Sequence, residues 1–264
     1  MTQGTTGHHP SSKTVMCLFA HPDDESYSVA GTVAMCAKNN AQVTMVYCTR
    51  GEAGPNFCRD RRPDQALADI RTREMERACR IMGTNPPLFL DLPDGKLSQV
   101  EPSRAMTMIF DILTAVKPDL VLGLGPDGAY GHLDHITCYK WMERLMTETP
   151  VEKRPRCMWS VFPKGAFSGL YKKLSSLEAR VFLAALDSDD LGVEREKIDL
   201  QVNVSGFVDI KKQVMACHQS QLLTGKIQSF PLYSSVQPFL HKEMFVCAHG
   251  LALRNGATSP LEGL

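Results

Sequence analysis

The chain has 264 residues, 43% hydrophobic and 22% charged, which is ordinary globular material and enough for one large core. Its 29 Lys+Arg balance its 29 Asp+Glu, so no electrostatic footprint for nucleic acid is present, and a small neutral or weakly charged partner fits better. Nine scattered cysteines with no C-x-x-C pair argue against a complete disulfide framework, and neither a secretory leader nor an apolar run of ~20 residues occurs, so a reducing cytoplasm and no membrane span are expected.

Residues 1–13 read as a flexible tail, in which His8 and His9 are not preorganised for a metal, and residues 14–264 as one domain. A first strand is expected at 14–20 and a helix from 25 to about 38, stopped at Asn39-Asn40. Strand two is Gln42 to Cys48, followed by a polar loop from Thr49 to Pro63 and a charged helix from about 64 to 82 that Gly83 ends. A short strand at 88–90, a turn at 91–95, a helix from Pro102 to Val116 and a strand at 120–124 come next. The loop 125–131 leads into a helix reaching about Met146, then a strand over 156–162 and a helical connection over 168–191. Alternation over 198–204 predicts an edge or antiparallel strand, 209–219 a helix, and 244–247 a last strand. Strand alternating with helix predicts an α/β fold, a Rossmann-like, mostly parallel sheet flanked by helices with its active site at the strands' carboxyl ends.

Two stretches carry chemistry. Ala20-His21-Pro22-Asp23-Asp24-Glu25 follows the first strand. It places a histidine and two carboxylates within four positions, two kinds of zinc ligand plus a spare carboxylate to accept a proton. Pro22 ends the strand, and Asp24 is a natural cap for the helix that follows. The second stretch, Tyr130-Gly131-His132-Leu133-Asp134-His135, sets two histidines three apart, on one side of a first helical turn. If the fourth strand lies beside the first, the two stretches meet, and three ligands with one open position make a catalytic zinc site.

The pair of motifs resembles the LmbE-like (PIG-L-type) zinc-dependent N-deacetylases over roughly residues 14–145. Thr49-Arg50-Gly51-Glu52-Ala53-Gly54, Arg71-Thr72-Arg73-Glu74, Leu92-Pro93-Asp94-Gly95 and His218-Gln219-Ser220-Gln221 follow in the family's order. The resemblance implies Zn2+ on His21, Asp24 and His135, Asp23 as general base, and removal of acetyl from an N-acetylated amino sugar of N-acetylglucosamine type or its conjugate. It further implies a protonated His132, held and oriented by Asp134, that stabilises the oxyanion with a hydrogen bond from Tyr130. Asp23 or His132 then protonates the leaving amine. Arg71 and Asp94 match positions that hold sugar hydroxyls. Leu133 stands where the family usually has proline, which alters loop packing and no ligand. The implied partner is a small N-acetylated sugar; a homo-oligomer is left open.

Other readings compete at single positions. Arg71 and Glu74 are spaced as a solvated helix-surface pair, Asp94 has a turn role available in Pro93-Asp94-Gly95, and His218 reads as a hydrogen-bonded packing residue on its predicted helix. For the whole chain the alternatives are a zinc amidase acting on a thiol conjugate and a metal-containing sugar-binding protein without catalysis. Asp23 speaks against the latter, since mere binding needs no base. A dinucleotide enzyme is disfavoured, because the first strand-to-helix turn is acidic and lacks G-x-G-x-x-G.

Overall fold

In a computed structural model of the chain, residues 12–58, 66–173 and 190–264 are described. Residues 1–11 of the expected N-terminal tail, with His8 and His9, residues 59–63 of the expected polar loop, the first residues of the helix expected from 64, and most of the helical connection expected over 168–191 lie outside them.

The strand β1 (Thr14–Phe19) pairs in parallel with β2 (Gln42–Tyr47) on one side and β4 (Leu120–Leu124) on the other. β3 (Leu88–Phe89) extends the sheet beyond β2, and β5 (Arg156–Ser160) beyond β4, both parallel. Two antiparallel strands complete the seven, β7 (Lys242–His249) against β5 and β6 (Leu200–Asn203) against β7, in the order β3-β2-β1-β4-β5-β7-β6. Successive strand residues point to opposite faces, so β1 serves two cores. Val15, Cys17 and Phe19 pack with Val33, Met75 and Val214, while Met16 and Leu18 pack with Ile109, Trp141 and Met142.

The first core is covered by α1 (Asp24–Ser28), α2 (Ala30–Lys38), α3 (Leu67–Met82) and α8 (Val208–Cys217); the second by α4 (Pro102–Val116) and α6 (Leu133–Glu148). Short helices α5 (Gly128–Gly131), α7 (Ser168–Lys173) and α9 (Tyr233–Val236) lie in the connections. The single helix expected over 25–38 is two helices. Val29, at φ −140° and ψ −2°, breaks it, and Glu243 of β7 accepts from the Gly31 and Thr32 N–H groups that the break exposes, at 2.9 and 2.7 Å. Asp24 is also not the cap: Asp23 holds that position without a side-chain cap bond, and the Asp24 carboxylate instead accepts from the His21 backbone N–H at 2.9 Å. The last strand is longer than 244–247 and lies inside the sheet, between β5 and β6. No helix among the described residues is long and apolar enough to cross a membrane.

Candidate active site and metal centre

Because β1 and β4 are neighbours and parallel, the turns leaving their carboxyl ends meet. His21, Asp23 and Asp24 come from the first turn, and Gly128, Tyr130, His132, Asp134 and His135 from the second. His21 Nδ1 lies 3.1 Å from His135 Nε2, His135 Nε2 lies 3.0 Å from Asp24 Oδ1, and Asp24 Oδ2 lies 3.7 Å from His21 Nδ1. All three residues are buried.

The outer nitrogens of both rings decide what faces inward. His135 Nδ1 is 3.0 Å from the Gly128 carbonyl, which only accepts, so that nitrogen carries the proton and Nε2 a lone pair. His21 Nε2 lies 3.0 Å from Asp94 Oδ1 and 3.2 Å from Asp134 Oδ2, so in the neutral ring its proton is there and Nδ1 is bare. With both rings neutral, two imidazole lone pairs and a carboxylate oxygen point at one another, an arrangement that a cation relieves; without one, burial opposes charge on the His21 ring, but Asp134 and Asp94 outweigh it and hold the ring's pKa above its usual value. Tetrahedral zinc with bonds of about 2.0–2.1 Å sets its ligand atoms about 3.3 Å apart, close to the spacing here. The donor set therefore fits a divalent metal, with both histidines braced from behind by acceptors. His132 also brings a ring nitrogen within 4.8 Å of the His21 and His135 ligand atoms. Burial opposes the charge on Asp24, but His135 and His21 outweigh it and hold the carboxyl below its usual range.

Gly128 is needed for this geometry. Its φ is +60°, and a Cβ there would sit 2.9 Å from His135 Cβ and 3.0 Å from Ile136 Cγ1.

Asp23 stands beside the cluster in a left-handed conformation, φ 106°, unusual for a residue with a side chain. Its Oδ2 is 3.1 Å from Arg71 Nη2, and burial, offset in part by Arg71 and reinforced by Asp24, pushes the carboxyl up to about 6. Arg71 also donates to the carbonyls of Gly51 and Pro22. Gly51 has φ +69°, and a Cβ there would fall onto the guanidinium.

Several expected roles change on this geometry. The Asp134 carboxylate, expected to hold His132, accepts from the Gly95 and Leu97 N–H groups at 2.8 and 3.0 Å and faces His21. Only the backbone N–H of Asp134 is directed at His132, donating to Nδ1 at 3.2 Å as His132 caps α6. That bond requires a lone pair on Nδ1, so His132 is a neutral ring with its proton on Nε2 rather than an imidazolium. Burial, followed by His135 and His21, brings its pKa down to about 2. The solvated Arg71–Glu74 pair is overturned as well, since Arg71 is 3% and Glu74 1% exposed. Arg71 and Asp94 both line the cavity, but the Arg71 guanidinium is turned to Asp23 and the carbonyls of Gly51 and Pro22, and the Asp94 carboxylate to His21 and the Ala53 N–H. Asp94 accepts from the Ala53 N–H at 2.7 Å, and His21 helps to lower its carboxyl to about 2 against the effect of burial. Tyr130 edges onto the rings of His132 and His135, at 6.0 and 5.3 Å between centroids. Burial first, then Asp24 and Asp23, raises its hydroxyl well above the usual value, so it remains a donor.

This cluster borders a cavity of about 280 Å3. His21, Asp23, Arg71, Asp94 and His132 form its polar side, and Tyr27, Leu170, Phe230 and Leu232 an apolar side. Residues to which the sequence motifs gave no catalytic or ligand role complete the site. Glu25, Tyr47 and Glu74 are buried behind Asp23 and Arg71, and Gln221 of the His218-Gln219-Ser220-Gln221 run reaches the cavity wall. Glu25, Glu74 and Gln221 fall within the quoted motifs, and Tyr47 ends the apolar run of β2.

Comparison with known proteins agrees with this geometry. Residues 16–146 match the family described as GlcNAc-PI de-N-acetylase, PIG-L. A relative from Thermobifida fusca named 1D-myo-inositol 2-acetamido-2-deoxy-alpha-D-glucopyranoside deacetylase is 24% identical, with 93% of this chain and 96% of the relative covered. Among solved structures, the 4-carboxy-2-hydroxymuconate hydratase of Pseudomonas putida KT2440 is similar with TM-score 0.65 at 16% identity, covering 93% of this chain and all (100%) of that one. The N,N'-diacetylchitobiose deacetylase of Pyrococcus horikoshii is similar with TM-score 0.60 at 20% identity, covering 96% of this chain and 88% of that one. The matched stretch contains both strand-end motifs and all three residues of the triangle His21, Asp24 and His135, and it is over this stretch that the chain matches the PIG-L family.

Proposed function

We propose that the protein is a zinc-dependent hydrolase that removes acetyl from an N-acetylated amino sugar of N-acetylglucosamine type or its conjugate. The observation that carries this reading is the convergence of His21 Nδ1, His135 Nε2 and the Asp24 carboxylate, with His21 and the adjacent Asp23 lining one cavity. His21, Asp24 and His135 would hold the metal, which when bound supplies Lewis-acid polarisation of the amide carbonyl and eases deprotonation of a water.

The remaining steps belong to side chains. Asp23 takes a proton from the attacking water as its oxygen bonds to the amide carbon, and a carboxyl pushed up to about 6 suits both accepting and returning that proton. The His132 Nε2–H and the Tyr130 hydroxyl would donate to the carbonyl oxygen as negative charge grows on it. The Asp134 N–H occupies the Nδ1 lone pair of His132, so Asp23, which took the proton from the water, returns it to the nitrogen as the C–N bond breaks. Acetate and a free amine leave. Arg71 and Asp94, on the polar wall, are the residues we infer to contact sugar hydroxyls. We further infer one domain over 14–264, because β6 and β7, beyond the matched stretch, pair into the same sheet.

Fold likeness alone does not select this activity, as one similar structure is a hydratase. The test is a panel of N-acetylated monosaccharides, disaccharides, inositol glycosides and thiol glycosides, assayed for acetate and free amine with and without a chelator. Chelator-sensitive acetate release from at least one N-acetylglucosaminide is expected. Release from thiol-conjugate amides alone would move the assignment to an amidase, and no release from any member would leave binding as the function.

A further inference from the structure

His218, Ser220 and Gln221 lie about 200 residues beyond the first motif, outside the stretch matched to the family, yet all three are buried and directed toward Asp23's surroundings. His218 Nε2 is 2.8 Å from Glu25 Oε1. The other oxygen of Glu25 accepts from the Asp23 backbone N–H at 3.0 Å and from the Tyr47 hydroxyl at 3.0 Å. Glu25 thus grips the one peptide group in the first turn whose residue has φ 106°, a conformation that side-chain-bearing residues keep only when their surroundings hold them. Ser220 works on the other partner of Asp23. Its N–H and its hydroxyl each donate to Glu74 at 2.7 Å, and Glu74 is one turn along α3 from Arg71, which meets the Asp23 carboxylate. Gln221 Nε2 donates to the Pro55 carbonyl at 2.9 Å, tying down the loop whose Gly51 carbonyl receives Arg71.

We propose that the His218-Gln219-Ser220-Gln221 run is the positioning device of the general base: His218 fixes the Asp23 backbone through Glu25, and Ser220 fixes its carboxylate through Glu74, α3 and Arg71. The inference rests on Asp23 being the base. Neither His218 nor Ser220 touches the reacting atoms; both act through groups that do. A misplacement of the base by about 1 Å is enough to cost on the order of 100-fold in rate, so the device acts on kcat rather than on binding.

The experiment is a set of double-mutant cycles. His218→Leu, His218→Gln, Ser220→Ala and Tyr47→Phe are made singly and together with Asp23→Asn, and kcat, KM and bound metal are measured for each on the best N-acetylated substrate. His218→Leu is expected to lower kcat roughly 10- to 100-fold with KM and metal content nearly unchanged, and His218→Gln, which keeps a donor for Glu25, to recover part of the loss. Tyr47→Phe, which removes only a hydroxyl, should cost a few-fold in kcat and keeps the proposal testable should His218→Leu fail to fold. In the Asp23→Asn background the same substitutions should cost nothing further, and a crystal structure of the His218 variant should show Asp23 relaxed to negative φ. Equal losses in both backgrounds, or full kcat in both His218→Leu and Tyr47→Phe, would overturn the inference. Near wild-type kcat in Asp23→Asn alone would remove the base itself, and the functional reading with it.

Discussion

The Arg71 guanidinium approaches the Asp23 carboxylate to 3.1 Å, from a helix that starts more than forty residues later, and so sets the charge state of the proposed base. Burial pushes the Asp23 carboxyl up to about 6, with Arg71 as the largest opposing influence. Asp23 must be ionised to accept a proton, so activity should fall as pH drops through its pKa, and a dication at the neighbouring site moves that pKa lower still. An acid limb at or below about pH 6 is expected for kcat. Arg71→Met removes the influence that lowers the pKa, so the limb should move to higher pH; a limb that stays in place in the metal-loaded variant would detach Arg71 from Asp23.

Asp134 faces His21 with one oxygen while two backbone N–H groups hold the carboxylate in place. This is the pattern of an outer carboxylate that orients a metal-binding histidine and raises its basicity. Asp134→Asn should weaken metal affinity by about 10- to 100-fold, read by competition with a chromophoric chelator, while the His132 ring, held through the Asp134 backbone N–H, keeps its place. Unchanged metal affinity with a fallen kcat would return Asp134 to His132.

Gly128 combines a positive φ with contact against the base of His135. Gly128→Ala should therefore lower stability by about 1–3 kcal/mol and reduce metal content, because the new methyl meets His135 and Ile136 while the backbone is strained. Thermal unfolding and metal analysis on the same preparation check this; a stable variant with full metal would show that the loop yields without disturbing the ligands.

The sequence was most legible where one local rule acted alone. The β1 and β4 runs are apolar and bounded by proline and glycine, and the two motifs behind them are short enough that residue types and spacing describe their chemistry. What stayed hidden depends on partners distant along the chain. The break at Val29 is stabilised by Glu243, and nothing near residue 29 announces it. Arg71 and Glu74 have the spacing of a surface pair, and only the arrival of Ser220 and the Gly51 turn buries them. Asp134 was assigned to its sequence neighbour His132, whereas the N–H groups of Gly95 and Leu97 turn its carboxylate toward His21. Hydropathy marked 244–247 as a strand, but it carries no information on pairing order, and β7 lies between β5 and β6.

The central claim is that a metal on His21, Asp24 and His135 and a proton-accepting Asp23 together hydrolyse an N-acetyl amino sugar. It is tested most directly by measuring acetate release and bound metal on the same samples of wild-type protein and Asp23→Asn, before and after metal removal and zinc restoration. About one equivalent of zinc in both proteins is predicted, with wild-type activity lost and regained with the metal and Asp23→Asn at least roughly 100-fold slower at full occupancy. Wild-type rates in zinc-loaded Asp23→Asn, or acetate release that persists without metal, would contradict the account.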